Sequence, residues 1–91
     1  MWSEREPVYR PLRDVLFFSG KPVVTMTLSE IEAVLGRPLP ASARRRSAWW
    51  SNNADGHVQA EAWLQANYRT SAVDLAGESV TFVLHLTPSG F

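Results

Sequence analysis

The 91-residue sequence contains no cysteine, which excludes disulfides, thiol catalysis and cysteine-ligated zinc. Histidine is nearly absent too: His57 and His85 are the only two, and they fall on different predicted elements. No His-x-x-x-His pair, acidic cluster, glycine-rich phosphate loop or nucleophile elbow is present. Glu30 and Glu32, two residues apart, would leave a helix on different sides and make no catalytic pair. These absences predict a non-enzymatic chain with no cofactor and no metal. Long apolar runs are also missing. The stretch Val15-Leu16-Phe17-Phe18 falls far short of the roughly 18 residues that span a bilayer. The charged start, Met1 to Glu6, lacks the apolar segment of a signal peptide, so a cytoplasmic protein without membrane contact is expected. Repeats and interdomain linkers are absent, which predicts a single domain over 1–91 with short flexible tails at 1–7 and 87–91.

What is present begins with charge. Nine basic and nine acidic residues cancel overall, but residues 1–36 carry −1, residues 37–69 carry +3 and residues 70–91 carry −2. The middle third is a basic block, and eight of the nine cations are arginine, the better planar donor to phosphate and guanine.

Periodicity places the elements. Val8, Leu12, Val15, Leu16 and Ser19 follow helical spacing, so a first helix is expected at roughly 9–19, with Pro11 in its first turn and Gly20 as its cap. The β-branched run 22–27 reads as a strand. Thr27-Leu28-Ser29-Glu30 offers a capping box for a second helix at about 28–35, ended by Gly36. Residues 37–40 hold two prolines and cannot be helical throughout. A third helix should begin near His57, capped by Asn53 or Asp55, and end at Asn67. Strands are expected over 69–75 and 79–86, with Val80, Phe82, Leu84 and Leu86 on one face. The order helix-strand-helix-helix-strand-strand predicts an α/β (α+β) fold of winged-helix type, with three helices and a small antiparallel sheet. Its third helix would pack through Ala60, Trp63 and Leu64 onto Leu12, Leu16, Ile31 and Leu35.

The segment Arg44-Arg45-Arg46-Ser47-Ala48-Trp49-Trp50-Ser51-Asn52-Asn53 is the sharpest signal. Adjacent guanidiniums repel, and phosphate oxygens are a natural counterpart. An indole face can stack on a base and an asparagine amide can bond its edge. Read as extended chain, Trp49 and Trp50 would point opposite ways, one buried and one available to a ligand. In a helix-turn-helix docking, His57 and Gln59 in the first turn of the third helix would reach base edges. Arg69, opening the hairpin, could touch a phosphate. Arg37, Ser42 and Ser47 complete the candidate set. The competing reading makes the tryptophans core, the arginines solvated surface and the asparagines turn residues.

Several pieces together resemble a family of small bacterial domains that occur alone or attached to larger, sometimes nuclease-like proteins. They are Tyr9-x-Pro-Leu, Leu39-Pro40-x-Ser42-Ala43-Arg44, Trp49-Trp50-Ser51-Asn52, Ala62-Trp63-Leu64 and Val80-Thr81-Phe82. The likeness covers nearly the whole chain, and departs at Asn67-Tyr68, where glycine followed by an aromatic is the expected pattern. It implies a bacterial, nucleoid-associated module in a restriction or modification setting, with no catalytic residues carried over. The sequence therefore predicts a non-enzymatic reader of double-stranded DNA, methylated DNA included, with a larger effector protein as a further partner. A 5-methyl group on cytosine would give an indole an apolar patch to pack against. The alternative is a protein-interaction module anchored by the tryptophan pair.

Overall fold

A computed structural model describes residues 8–53 and 58–85. The expected tails at 1–7 and 87–91, together with Asp55, His57 and Leu86, lie outside the described residues. The chain runs α1 (Arg10–Ser19), β1 (Val23–Thr27), α2 (Leu28–Leu35), α3 (Ala41–Arg45), a 3-10 turn (Ser47–Trp50), α4 (Ala60–Gln65), β2 (Tyr68–Asp74) and β3 (Ser79–Leu84). This is a small α+β domain with one antiparallel sheet in the order β1-β3-β2. No helix among the described residues is long and apolar enough to cross a membrane.

Local chemistry explains most boundaries. Pro11 sits in the first turn of α1, and Gly20 closes that helix in the left-handed conformation at φ 63°. The capping box forms as expected: the Thr27 hydroxyl accepts from the Glu30 amide at 3.0 Å, and the Thr27 amide donates to the Glu30 carboxylate at 2.9 Å. Gly36 ends α2 at φ 75°. Asn67 adopts φ 70° between α4 and β2, a conformation its short polar side chain tolerates.

The sheet buries one face against the helices. Val80 and Phe82 of β3 point inward, joined by Met26 of β1 and Tyr68 of β2. Leu12, Leu16, Leu28, Ile31 and Trp63 meet them from the helical side. α1 packs on both α2 and α4. The expected core is therefore present, with one change of degree: Leu35 and Leu64 are half-buried at its edge rather than fully enclosed.

Two expectations are corrected. The segment 41–50 is not extended or irregular; it is a five-residue helix followed by a 3-10 turn, which gives four α-helices among the described residues instead of three. Ala41-Ser42-Ala43 favour helix, and Ala43 is small enough to be completely buried where the Trp50 indole nitrogen approaches its carbonyl at 2.8 Å. The third expected helix is short. It begins at Ala60 after Gln59, with no side-chain cap, so Asn53 is not its cap.

Ile31 is fully buried, so Ile31→Ala should lower the unfolding free energy by about 2–5 kcal/mol. Leu35→Ala should cost clearly less, because its side chain already meets solvent. Denaturant unfolding of both variants checks the ranking.

Candidate nucleic-acid interface

The arginine–tryptophan segment is built around two buried indoles. Trp50 is 1% exposed and stacks on Trp63 with ring centroids 5.7 Å apart; Trp63 in turn meets Phe82 at 5.7 Å. Each buried indole N–H must find an acceptor. Trp50 donates to the Ala43 carbonyl at 2.8 Å, and Trp63 donates to Asn52 Oδ1 at 3.1 Å.

Asn52 then stitches this unit to the sheet. Its Oδ1 also accepts from the Thr70 amide at 2.8 Å and from the Thr70 hydroxyl at 3.0 Å, while its Nδ2 donates to the Thr70 carbonyl at 3.0 Å. The amide thus pairs with the edge of β2 much as a neighbouring strand would, next to the register shift between Thr70 and Ala72. Asn52 was expected at a base edge. Its Oδ1 and one Nδ2 hydrogen are instead engaged inside the protein, so that expectation is corrected.

Gln59 is corrected on the same ground. It is 6% exposed, and its Nε2 donates to the Trp49 carbonyl at 2.8 Å. The outward positions of α4 carry Glu61 and Gln65, not cations. The helix that a helix-turn-helix docking would push into a groove is therefore buried on most sides and acidic on the rest. His57 lies outside the described residues. Asn53 is exposed, with its amide donating to Ser51 Oγ at 3.2 Å.

The three consecutive arginines do not act together. Arg44 turns back to Glu32 at 2.9 Å and reaches Glu78 at 3.8 Å, bridging α3 to α2 and to the turn before β3. It was expected on phosphate and is internally paired instead. Glu32 also accepts the Leu39 amide at 2.8 Å. That amide first, and Arg44 second, hold its carboxyl below the ordinary glutamate value of 4.5. Arg45 and Arg46 are exposed and make no ion pair with any carboxylate among the described residues. Ser47 beside them is exposed, and Ser42 is half-buried with its carbonyl accepting the Arg46 amide.

Trp49 is half-buried, so the two tryptophans do differ in exposure, although they belong to a 3-10 turn rather than an extended strand. Its ring makes edge contacts with Trp50 at 4.6 Å and with Tyr9 at 5.9 Å. Tyr9 is a neighbour that sequence reasoning did not assign to the site, although it opens the Tyr9-x-Pro-Leu piece. Burial raises its phenol pKa, and the nearby Arg37 guanidinium partly opposes the rise. Arg37 therefore belongs to the same corner, and Trp49 donates its amide to the Arg46 carbonyl at 3.1 Å. The arrangement is a partly exposed indole that follows the exposed Arg45–Arg46–Ser47 turn and rests against Tyr9.

Arg69 is not part of that corner. It pairs with Val83 on the outer face of the sheet, whereas the neighbouring Thr70 faces Trp50. An open cleft of about 180 Å³ lies between the start of α1 and α4 and shares Tyr9 with that corner; Val8, Arg10, Arg13, Val58 and Glu61 line most of the rest of it. Neither arginine of the exposed turn borders it.

Comparison with known proteins gives one match. Residues 9–85 match the model of a family described as a domain of unknown function, DUF7662. No curated protein and no solved structure matches.

Two outcomes follow from this geometry. Asn52→Ala leaves the Trp63 N–H and the Thr70 amide without partners and should cost about 2–4 kcal/mol of stability. Any weakening of ligand binding should then track the unfolded fraction, which calorimetry beside binding separates. Glu32 favours the ionised form on folding, so its contribution is present above its unfolded value and is lost as pH falls below 4.5. Glu32→Gln should lower the melting temperature at neutral pH and flatten its decline on the acid side. An unchanged acid decline would contradict the assignment.

Proposed function

From a chain that belongs to the DUF7662 family, whose description assigns no activity, we propose a function on the geometry alone: it binds double-stranded DNA through the turn between α3 and Trp49. The observation that carries this reading is the fate of the three arginines. One is consumed by Glu32 and Glu78, while Arg45 and Arg46 project from an exposed turn with no carboxylate partner among the described residues. Two adjacent guanidiniums without a carboxylate partner suit adjacent phosphates, the flanking Ser47 hydroxyl adds a further donor, and Arg37, close enough to act on Tyr9, adds positive charge. Trp49 is the group within reach of a base. Its exposed margin is suited to packing on a base or on a methyl group, and the 5-methyl of cytosine is the modification that reading favours.

The role is binding rather than catalysis, in a bacterial DNA-modification setting, and a larger effector protein would supply any chemistry. In this reading the β2–β3 hairpin would serve as a wing, and Arg69 on the sheet's outer face would make an outlying phosphate contact. Because the net charge is zero, attraction to DNA is local to this turn and not a property of the whole surface.

The test is binding to matched unmodified and 5-methylcytosine duplexes across a salt series. Arg45→Ala with Arg46→Ala should weaken binding and reduce the slope of log K against log salt by about 1.8, two phosphate contacts at about 0.9 each. Trp49→Ala should weaken binding about 5- to 150-fold and remove any preference for the methylated duplex. An unchanged salt slope in the double variant would move the interface elsewhere on the protein.

A further inference from the structure

α1 and α4 pack side by side, but their contact is not closed along its whole length. Near the start of α1 the α4 residue in the gap is Ala62, whose methyl group is too small to fill it. The result is the cleft of about 180 Å³ that shares Tyr9 with the Trp49 corner. Its lining divides by chemistry. Val8, Val58 and Ala62 are aliphatic, and Tyr9 supplies an aromatic ring. Glu61 and Gln65, one helical turn apart on α4, supply a carboxylate and an amide. Arg10 and Arg13 set two guanidiniums against that one carboxylate, which leaves the lining at +1.

Apolar walls with a few polar groups are the usual form of a ligand site. At about 180 Å³ the cleft lies below the roughly 300–1,000 Å³ that drug-sized ligands occupy. Its size therefore suits one small ring, not a peptide or a whole nucleotide.

Resting on the DNA reading above, we propose that this cleft receives a single cytosine base swung out of the duplex held by the Arg45–Arg46 turn. Position is the first support. The Tyr9 ring borders the cleft and touches Trp49 at 5.9 Å, so the pocket and the base-contacting indole form one surface. The lining is the second. Extruded bases are read through their Watson–Crick edge and packed between aromatic and apolar side chains, and both kinds of group are here.

Glu61 supplies the choice of base. A carboxylate accepts from the N4 amine of cytosine and is repelled by the O4 of thymine. Gln65 Oε1 takes only a long contact from Arg13 at 3.5 Å, and its Nε2 suits cytosine N3. A base that turns this edge to α4 directs its C5 edge toward Tyr9 and Trp49, where a methyl group meets the indole. Arg10 and Arg13 offset Glu61, so the cleft does not repel the phosphate backbone.

Extrusion breaks a base pair and is cheapest where the base is already unpaired, which supplies the test. Three duplexes are compared by fluorescence anisotropy with the intact chain. One holds 5-methylcytosine paired with guanine, one holds it opposite an abasic site, and one holds thymine opposite an abasic site. Thymine carries the same methyl group and so isolates the amine. The orphaned 5-methylcytosine should bind about tenfold more tightly than the paired one, and orphaned thymine should show no such gain. Val58→Trp, at a rim position that is 70% exposed, should cut the gain to about twofold or less. It should leave the salt slope, circular dichroism and melting temperature as in wild type. Glu61→Ala should remove the preference for cytosine over thymine. Equal binding of paired and orphaned cytosine, a gain that thymine shares, or a gain that survives Val58→Trp overturns the proposal. In each of those cases an arginine-dependent salt slope leaves the DNA reading standing without the cleft. A chain that binds no duplex at any salt removes both.

Discussion

Burying two indole rings side by side, each with an N–H that must be satisfied, is the constraint on which the rest of this structure depends. Trp50 and Trp63 give the small core its largest side chains, and their stacking adds about 0.5–1.5 kcal/mol beyond the area they remove from water. Their N–H groups then dictate the surroundings. Trp50 requires the Ala43 carbonyl, so α3 and the 3-10 turn fold back on each other. Trp63 requires Asn52, which in turn holds the edge of β2. Gln59 closes the loop by binding the Trp49 carbonyl. Arg45 and Arg46 stand outside because everything around them is fixed inward.

The same constraint divides labour among residues that look alike. Consecutive positions on a short helix point in different directions, so an arginine triplet cannot present one uniform face. Arg44 turns toward two carboxylates from two other elements, which ties the helix to α2 and to the sheet turn. Its neighbours Arg45 and Arg46 pair with no carboxylate among the described residues. Trp49 and Trp50 divide in the same way, one partly at the surface and one in the core. Residues that build the core and residues left at the surface thus alternate along one decapeptide.

Much of the fold was legible in the sequence because local chemistry and tertiary packing agree there. The Thr27–Glu30 capping box, the left-handed caps at Gly20, Gly36 and Asn67, and the inward alternation of Val80 and Phe82 all carry short-range signals that the packing preserves. The segment 41–50 was misread because its helix is held by partners distant in sequence. Glu32, Glu78 and the Trp63 ring do not show in the spacing of its own residues. Asn52 and Gln59 were misassigned for the same reason: a polar side chain next to arginine and tryptophan suits a base edge or a buried amide equally, and only the position of Thr70 and the Trp49 carbonyl decides. Tyr9 carried a usable signal, an aromatic one residue before a proline-opened helix, but its contact with Trp49 spans forty positions. The helical stripe Val8, Leu12, Val15, Leu16 and Ser19 overstated the buried face of α1: Leu12 and Leu16 are enclosed, while Val8 and Val15 are exposed.

The central claim is that one face, the turn at Arg45–Ser47 with Trp49, meets nucleic acid while the indoles behind it do not. Titrating ¹⁵N-labelled protein with a short DNA duplex tests this most directly, because Trp49, Trp50 and Trp63 each report through an indole N–H. The account predicts that the Trp49 indole and the backbone amides of residues 45–49 shift first and most. The Trp50 and Trp63 indoles, bonded to Ala43 and Asn52, should stay in place. Shifts absent from that turn, or centred on the outer face of α1, would contradict it.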